Sequence, residues 1–167
     1  MFERLDTPQD AFNFKLGATL KMEKTVLEIL DDGIENARDD RVKDLLRSHR
    51  SESERHVANV EAAFGLFGWE IDDSPCPAIE GLQKEGKATV KKTADSIVDL
   101  VILQAALEVE HHELGVYENL IISVKAMDDR DDVARLLHQN FESEQEALEK
   151  VRALQADIAA ATPKQPV

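Results

Sequence analysis

Basic residues are scarce in this chain of 167 residues: 20 Lys and Arg stand against 34 Asp and Glu, a net charge of −14. Such a charge repels phosphate backbones and anionic lipids, so it excludes nucleic acid and membrane surfaces as natural partners. Cysteine is nearly absent: Cys76 stands alone, which excludes an intrachain disulfide framework and suits a reducing compartment. The chain also lacks a transmembrane-length apolar run and the apolar region of a signal peptide. We therefore expect a cytoplasmic protein, with cations as its natural ligands unless the acidity serves only solubility.

Glycine, proline and aromatic residues are also few, at seven Gly, five Pro, six Phe, one Tyr and one Trp. Hydrophobic residues nevertheless make up 43% of the chain, which is enough to build one core. This composition favours helix over sheet. We expect an all-α protein with one domain over residues 1–160 and a disordered tail over residues 161–167.

Apolar residues recur at steps of three and four in four long segments, the pattern of amphipathic helices. Short charged turns separate the first segment from the second and the third from the fourth, so each pair forms an antiparallel hairpin. The roughly 25 residues over 69–93 can return the chain along a bundle, which makes the second and third helices parallel. The predicted elements are a helix from Thr7-Pro8 to about residue 36, a helix after the charged turn Arg38–Arg41 with a C-cap at Gly68, a short helical piece over 78–84, a helix over about 94–127, and a helix after the turn Asp128–Asp131.

Glutamate interrupts each of the four apolar stripes. Glu23 lies in the stripe of the first helix, and Glu144 in that of the fourth, where periodicity selects it over Glu142 on the polar face. A carboxylate in a bundle core costs several kcal/mol unless it is compensated, so the same interruption in four helices indicates one cause. The other interrupting residues are Glu52 in the second helix and Glu110 and Glu113 in the third.

Counting from the turns places these carboxylates at one depth. Glu23 lies about 13 residues before the end of its helix, and Glu52 lies about 12 residues after the start of the next. Similar spacings, about 14 to 17 residues, hold for Glu110, Glu113 and Glu144 in the second hairpin. Five carboxylates at one level match the needs of a carboxylate-bridged pair of iron ions, with manganese as an alternative.

A nitrogen ligand could come from either of two histidines on the face of Glu52. We favour His49 as a ligand and interpret His56 as a hydrogen-bonded core residue. Tyr117 follows Glu113 by one turn and should lie in the core with its hydroxyl near the site. The competing interpretation is that the glutamates reach solvent, stay protonated, or pair with Arg47, Arg50 or Lys24. The predicted metal ligands are Glu23, His49, Glu52, Glu110, Glu113 and Glu144.

Five short motifs carry a family resemblance: Met22-Glu23-Lys24, His49-x-x-Glu52-Ser53, Cys76-x-x-Ile79-Glu80-Gly81-Leu82, Glu110-His111-His112-Glu113 with Tyr117, and Glu142-x-Glu144. From about residue 10 to 155 the chain resembles the YciF/YciE-type ferritin-like stress proteins. The resemblance implies a ferritin-like four-helix bundle, often dimeric, with a dinuclear metal site, a link to stress responses and no assigned reaction. The chain departs from the family at Ser143, between two acids that are usually adjacent, and at His56, where an amide is common. It also lacks the Glu-x-x-His motif that ferritins and rubrerythrins carry on two helices.

Three functions follow as hypotheses. The leading one is a di-iron or manganese–iron protein that reacts with oxygen or peroxide and takes electrons from an unknown donor. The alternative is a non-catalytic helical dimer that acts through protein interactions and keeps a structural or vestigial metal site. Iron storage is a third, and it requires self-assembly surfaces. The ligand set does not decide whether the protein is an enzyme. We expect a homodimer from the family and from three apolar residues that the first two helices leave over, Phe12, Phe14 and Phe64.

Overall fold

A computed structural model describes residues 4–127 and 130–162 of the chain, and within these ranges it contains helices and no strand. The predicted all-α class is therefore confirmed. None of the described helices has a stretch that is both long and apolar enough to cross a membrane. The helices are α1 (Pro8–Asn36), α2 (Asp40–Phe67), α3 (Pro77–Lys91), a short 3-10 turn (Asp95–Ile97), α4 (Val98–Lys125) and α5 (Asp131–Ala161).

The start of α1 and the end of α2 are set by capping residues. The Thr7 hydroxyl accepts a 3.1 Å hydrogen bond from the Asp10 backbone N–H, and the Asp10 carboxylate accepts a 2.9 Å bond from the Thr7 N–H. This reciprocal pair satisfies two backbone donors that a helix start leaves free. At the C-terminus of α2, Gly68 ends the helix in the left-handed region with a φ of 70°, where glycine carries no steric penalty. The predicted start at Thr7 and C-cap at Gly68 are confirmed.

The four long helices form a ring in the order α1, α2, α5, α4. Asp99, at the start of α4, accepts hydrogen bonds from the backbone N–H groups of Arg38 and Asp39, just before α2. Arg130, just before α5, donates to the carbonyl of Leu66 near the end of α2. These contacts make α2 parallel to α4 and antiparallel to α5. The predicted four-helix bundle of two antiparallel hairpins, joined by a long crossover with a short helix, is confirmed.

The crossover helix α3 is longer than the predicted piece over 78–84, since it continues through Gly86 to Lys91. Its inner face packs on the bundle through buried Ile79 and half-buried Leu82. A Cβ built at Gly86 would lie 3.7 Å from the Cβ of Ala105 on α4. That distance is an ordinary van der Waals contact, so α3 packs against α4 at this position. The predicted end of the helical piece at residue 84 was wrong.

Two further expectations from the sequence concern the ends and the surface of the bundle. Phe12 and Phe64 are buried within the chain, at 2% and 0% exposure, so they cannot form an interface, and only Phe14 is exposed, at 47%. The residue basis for the predicted homodimer is corrected accordingly. Asp128 and Asp129 of the predicted turn lie outside the described residues, as does the part of the predicted tail after Thr162.

Candidate metal centre

Titratable side chains fill the middle of the bundle where apolar ones would be expected. Each lies on the inward stripe of its helix. Buried Leu20 and Val26 flank Glu23 one turn away, and buried Leu137 and Val151 flank Glu144 two turns away. The burial is nearly complete, with exposures of 0 to 4%. The cluster consists of Glu23, His49, His56, Glu110, Glu113 and Glu144.

Potential ligand atoms in this cluster form two compact groups. His49, Glu110, Glu113 and Glu144 each present one atom within 4.8 Å of the others, and Glu23, His56 and Glu144 do the same. Glu144 belongs to both groups. An arrangement of this kind can accommodate two cations that share one carboxylate.

The two ring nitrogens of His49 face different partners: one faces the buried carboxylates of its group, and the other faces Glu52. Its Nε2 lies 3.1 Å from Glu110 Oε1 and 3.7 Å from Glu144 Oε2. Its Nδ1 lies 3.6 Å from Glu52 Oε2, while Glu52 Oε1 lies 3.6 Å from Lys150 Nζ. The Glu52 side chain remains 18% exposed. The structure thus brings five of the six predicted ligands into the cluster and leaves Glu52 at its edge, behind His49.

His56 enters the second group, although the sequence favoured His49 over it. Its Nδ1 lies 2.7 Å from Glu144 Oε1 and 3.8 Å from Glu23 Oε2. A signal for His56 was present in its spacing, because seven residues, about two helical turns, separate it from His49. The interpretation of His56 as a core residue understated its contact with the carboxylates.

A hydrogen-bonded network encloses the cluster on the side where Glu23 lies. The Tyr117 hydroxyl donates to Glu23 Oε1 and accepts a 2.9 Å bond from Asn140 Nδ2. Asn140 Nδ2 also donates a 3.2 Å bond to the His56 carbonyl, and Asn140 Oδ1 accepts a 2.7 Å bond from Asn59. The predicted place of Tyr117, in the core with its hydroxyl near the site, agrees with these contacts. Sequence reasoning missed Asn140, whose signal was its position one turn before Glu144.

Most polar atoms of the cluster have no hydrogen-bond partner. Two of them, His56 Nδ1 and Glu144 Oε1, lie 2.7 Å apart, but their geometry is not that of a hydrogen bond. Buried polar atoms in folded proteins are normally paired, and leaving them unpaired is costly. A cation between such atoms would satisfy them. The unpaired atoms are Glu23 Oε2, both nitrogens of His49 and His56, Glu110 Oε2, and both oxygens of Glu113 and Glu144.

The arginines do not neutralise these carboxylates. Arg47 pairs with Asp44 at 2.9 Å, and Arg50 pairs with Asp31 at 2.6 Å and with Glu54. Among the described residues, the lysine or arginine that forms an ion pair with a predicted ligand is Lys150, and its partner is Glu52. The competing interpretation of arginine pairing therefore has no support in the contacts of Arg47 and Arg50.

Burial decides the electrostatics of the cluster. It raises the pKa of Glu23 to about 8, with a further contribution from the charge of Glu144. Burial also raises the pKa values of Glu113 and Glu144 well above the ordinary range. Burial lowers the pKa of His49 and of His56, but contacts with Glu110 and Glu52 outweigh it at His49, whose pKa is raised well above the ordinary value. Burial without a compensating cation thus favours the protonated form of these carboxyl groups, as the protonated alternative requires.

Comparison with known proteins places this site in a family. Among curated proteins, no sequence matches the chain. The structure of YcfI from Rhodopseudomonas palustris, which carries only the provisional description of a structural protein, has 27% identity and a TM-score of 0.87 over 91% of this chain and 97% of that one. The E. coli stress protein YciF has 22% identity and a TM-score of 0.87 over 94% and 99% of the two chains, and so shares the fold.

The family model for a domain of unknown function, DUF892, matches residues 7–162. This range includes every member of the cluster and all five helices, and it agrees with the resemblance that the motifs carried. The chain therefore belongs to the DUF892 family.

Proposed function

We propose that the protein is a dinuclear metal protein, with iron as the resident metal and manganese as an alternative. One ion would be held by His49, Glu110 and Glu113, and the other by His56 and Glu23, with Glu144 shared between them. The observation that carries this proposal is the membership of Glu144 in both groups of converging buried atoms. The unpaired state of both Glu144 oxygens supports it.

The donor set favours iron or manganese over other metals. Carboxylate oxygens dominate each group, and a single imidazole joins each one, which suits a divalent or trivalent first-row ion of intermediate hardness. The absence of thiolate in the cluster argues against a zinc site of the structural type. When bound, such a pair of ions supplies reactivity toward oxygen or peroxide.

Residues around the cluster would orient its ligands. Glu52 faces His49 Nδ1 while Nε2 faces the carboxylates, and a carboxylate behind a ligating histidine fixes the ring and its tautomer. We therefore assign Glu52, predicted as a ligand, an orienting role in this proposal. Tyr117 would hold Glu23 in the same way through its hydroxyl.

The stress-response role is part of this proposal, because the resemblance to YciF-type proteins supports it. A homodimer and a cytoplasmic location are part of it for the same reason. The exposed Phe14 supports the dimer, and sedimentation equilibrium of the purified chain tests it through the molecular mass.

Metal content of the purified protein tests the site. Protein loaded anaerobically with iron(II) and then desalted should retain about two ions per chain. Glu110→Ala should lose at least one of them, while Glu142→Ala, exposed on α5, should retain both. Retention of no metal by the parent protein, at unchanged thermal stability, would sink the proposal.

Oxidant consumption separates the leading hypothesis from its rivals. Iron(II)-loaded protein should consume oxygen or peroxide faster than the same iron in buffer, and Glu110→Ala should not. If the metal raises the melting temperature but neither oxidant is consumed faster, the structural or vestigial site is supported instead. Uptake far above two ions per chain would favour iron storage.

A further inference from the structure

A cavity of about 310 Å³ lies between the crossover helix α3 and the bundle. We call it the α3 cavity. Its volume falls in the range of roughly 300–1,000 Å³ that small-molecule sites occupy. Its walls come from four helices and are mainly apolar, and they include Val26 of α1, Leu46 of α2, Leu82 and Val90 of α3, and Ile102 and Val109 of α4.

Two contacts set the register of α3 against α1 along the α3 cavity. Gln83 donates a 2.9 Å hydrogen bond to Glu28, and Lys87 pairs with Asp32 at 2.8 Å. Both pairs join α3 to α1 at the same offset in sequence, so the two helices run parallel and in register. The next pair in this register is Lys91 with Asn36, and both residues line the cavity. From Val26 to Asn36 the cavity follows ten residues of α1, a length of about 15 Å.

The two ends of the α3 cavity differ chemically. At the end level with Val26, the lining reaches His49 and Glu110, which belong to the buried cluster. At the other end Lys91 is exposed and has no ion-pair partner among the residues that the structure describes. Lys87 is neutralised by Asp32. The cavity is therefore an apolar tube with one uncompensated positive charge at its outer end.

We propose that the α3 cavity binds a free amphipathic monocarboxylate, with the carboxylate at Lys91 and the far end of its apolar body against His49 and Glu110. A cavity of about 150 Å³ holds benzene, so twice that volume holds an apolar body of about twelve carbons. A twelve-carbon chain also suits the length of the tube. Binding itself requires no metal; that the bound molecule is a substrate of the cluster rests on the proposed function.

Binding of dodecanoate to the metal-free, full-length protein tests the proposal. Calorimetry below the micelle concentration of dodecanoate should give one saturable site per chain. Val90→Trp fills the tube from α3 and should weaken binding at least tenfold, whereas Ala88→Trp, exposed on the same helix, should leave it within twofold. Ala106→Leu fills the tube from α4 and should weaken binding similarly. Equal binding by all four proteins, or binding only above the micelle concentration, would overturn the site.

The head group is tested by charge. Lys91→Glu should weaken dodecanoate binding about fivefold, because it reverses the charge at the outer end. Lys92→Glu changes the net charge equally one residue away, outside the cavity lining, and should have an effect of less than twofold. If dodecylamine bound the parent protein as tightly as dodecanoate, the assignment of a carboxylate would be wrong.

Failure of this inference is distinguishable from failure of the proposed function. Glu23→Ala removes a predicted metal contact that does not line the α3 cavity, so it should lose metal and keep dodecanoate binding. Metal uptake by a parent protein that does not bind dodecanoate would overturn the inference and leave the metal site standing.

Discussion

The two halves of the cluster are built differently, although two histidines of one helix supply their imidazoles. The His49 half borders the α3 cavity on one side and the partly exposed Glu52 and Lys150 on the other. The His56 half is closed by the network of Tyr117 and Asn140. Their pKa values shift in opposite directions, up for His49 and down for His56. One half can be reached from outside, and the other is held rigidly.

Glu144 joins the two halves, and its loss should have the largest effect. Because it belongs to both groups, Glu144→Ala should lower the retained metal from about two ions per chain to less than one. Metal analysis after anaerobic loading and desalting measures this. Glu142→Ala, two residues away on the exposed face, is the matched control. Retention of a full ion by Glu144→Ala would show that the halves bind independently.

The histidines should separate the halves. His49→Ala and His56→Ala should each retain about one ion, because each group contains one imidazole. Release of metal to an external chelator should be biphasic in the parent protein, with the fast phase from the His49 half that borders the cavity. His49→Ala should lose the fast phase and His56→Ala the slow one. A single phase in all three proteins would remove the difference in access between the halves.

The pH dependence of the metal-free protein should follow the raised pKa values. Glu23 has a pKa of about 8 in the fold against 4.5 ordinarily, so its contribution to stability is complete below pH 4.5 and is lost as the pH rises toward 8. His49, also raised, has the same sign. The pKa of His56 is lowered, so this histidine adds no pH dependence to the stability above its ordinary pKa.

Between pH 6.5 and 8, Glu23 alone should therefore cost about 2 kcal/mol of unfolding free energy. Urea unfolding of the metal-free protein measures this, and Glu23→Gln is the control, because a neutral amide should flatten the slope. Stability that rises over this window would contradict the raised pKa.

Most members of the buried cluster could be predicted from the sequence, because apolar stripes constrain which polar residues face inward. Apolar residues flank Glu23 on α1 and Glu144 on α5 at one turn on each side, so periodicity separates Glu144 from Glu142. The prediction was less sharp on α2, where residues 47–56 contain no apolar residue to define the stripe. The buried positions there are Leu46, His49, Ser53 and His56, which turns Glu52 to the edge.

Other features depend on tertiary contacts that no local pattern encodes. Asn140 is buried because Tyr117, His56 and Asn59 all offer it partners from neighbouring helices. The α3 cavity exists because α3 continues beyond Gly86 and lies in register with α1, whereas a glycine within a helical pattern weakens the expectation that the helix continues. Sequence reasoning had no means of finding that register.

The smallest predicted effect concerns the closed half. Tyr117→Phe removes the hydroxyl that donates to Glu23 and accepts from Asn140. Because both partners remain buried, the metal-free protein should lose about 1–3 kcal/mol of unfolding free energy. Ser123→Ala, which removes an exposed bond to the Asn119 carbonyl on the same helix, should cost less than about 0.5 kcal/mol.

Chelator release shows whether this network belongs to the His56 half alone. Tyr117→Phe should accelerate the slow phase, since Glu23 loses the hydroxyl that orients it, and should leave the fast phase unchanged. Glu52→Gln should do the opposite, because His49 is the member of the cluster that Glu52 contacts. If either variant changed both phases equally, the two halves would respond as one unit, and the division between a reachable and a rigid half would have to be abandoned.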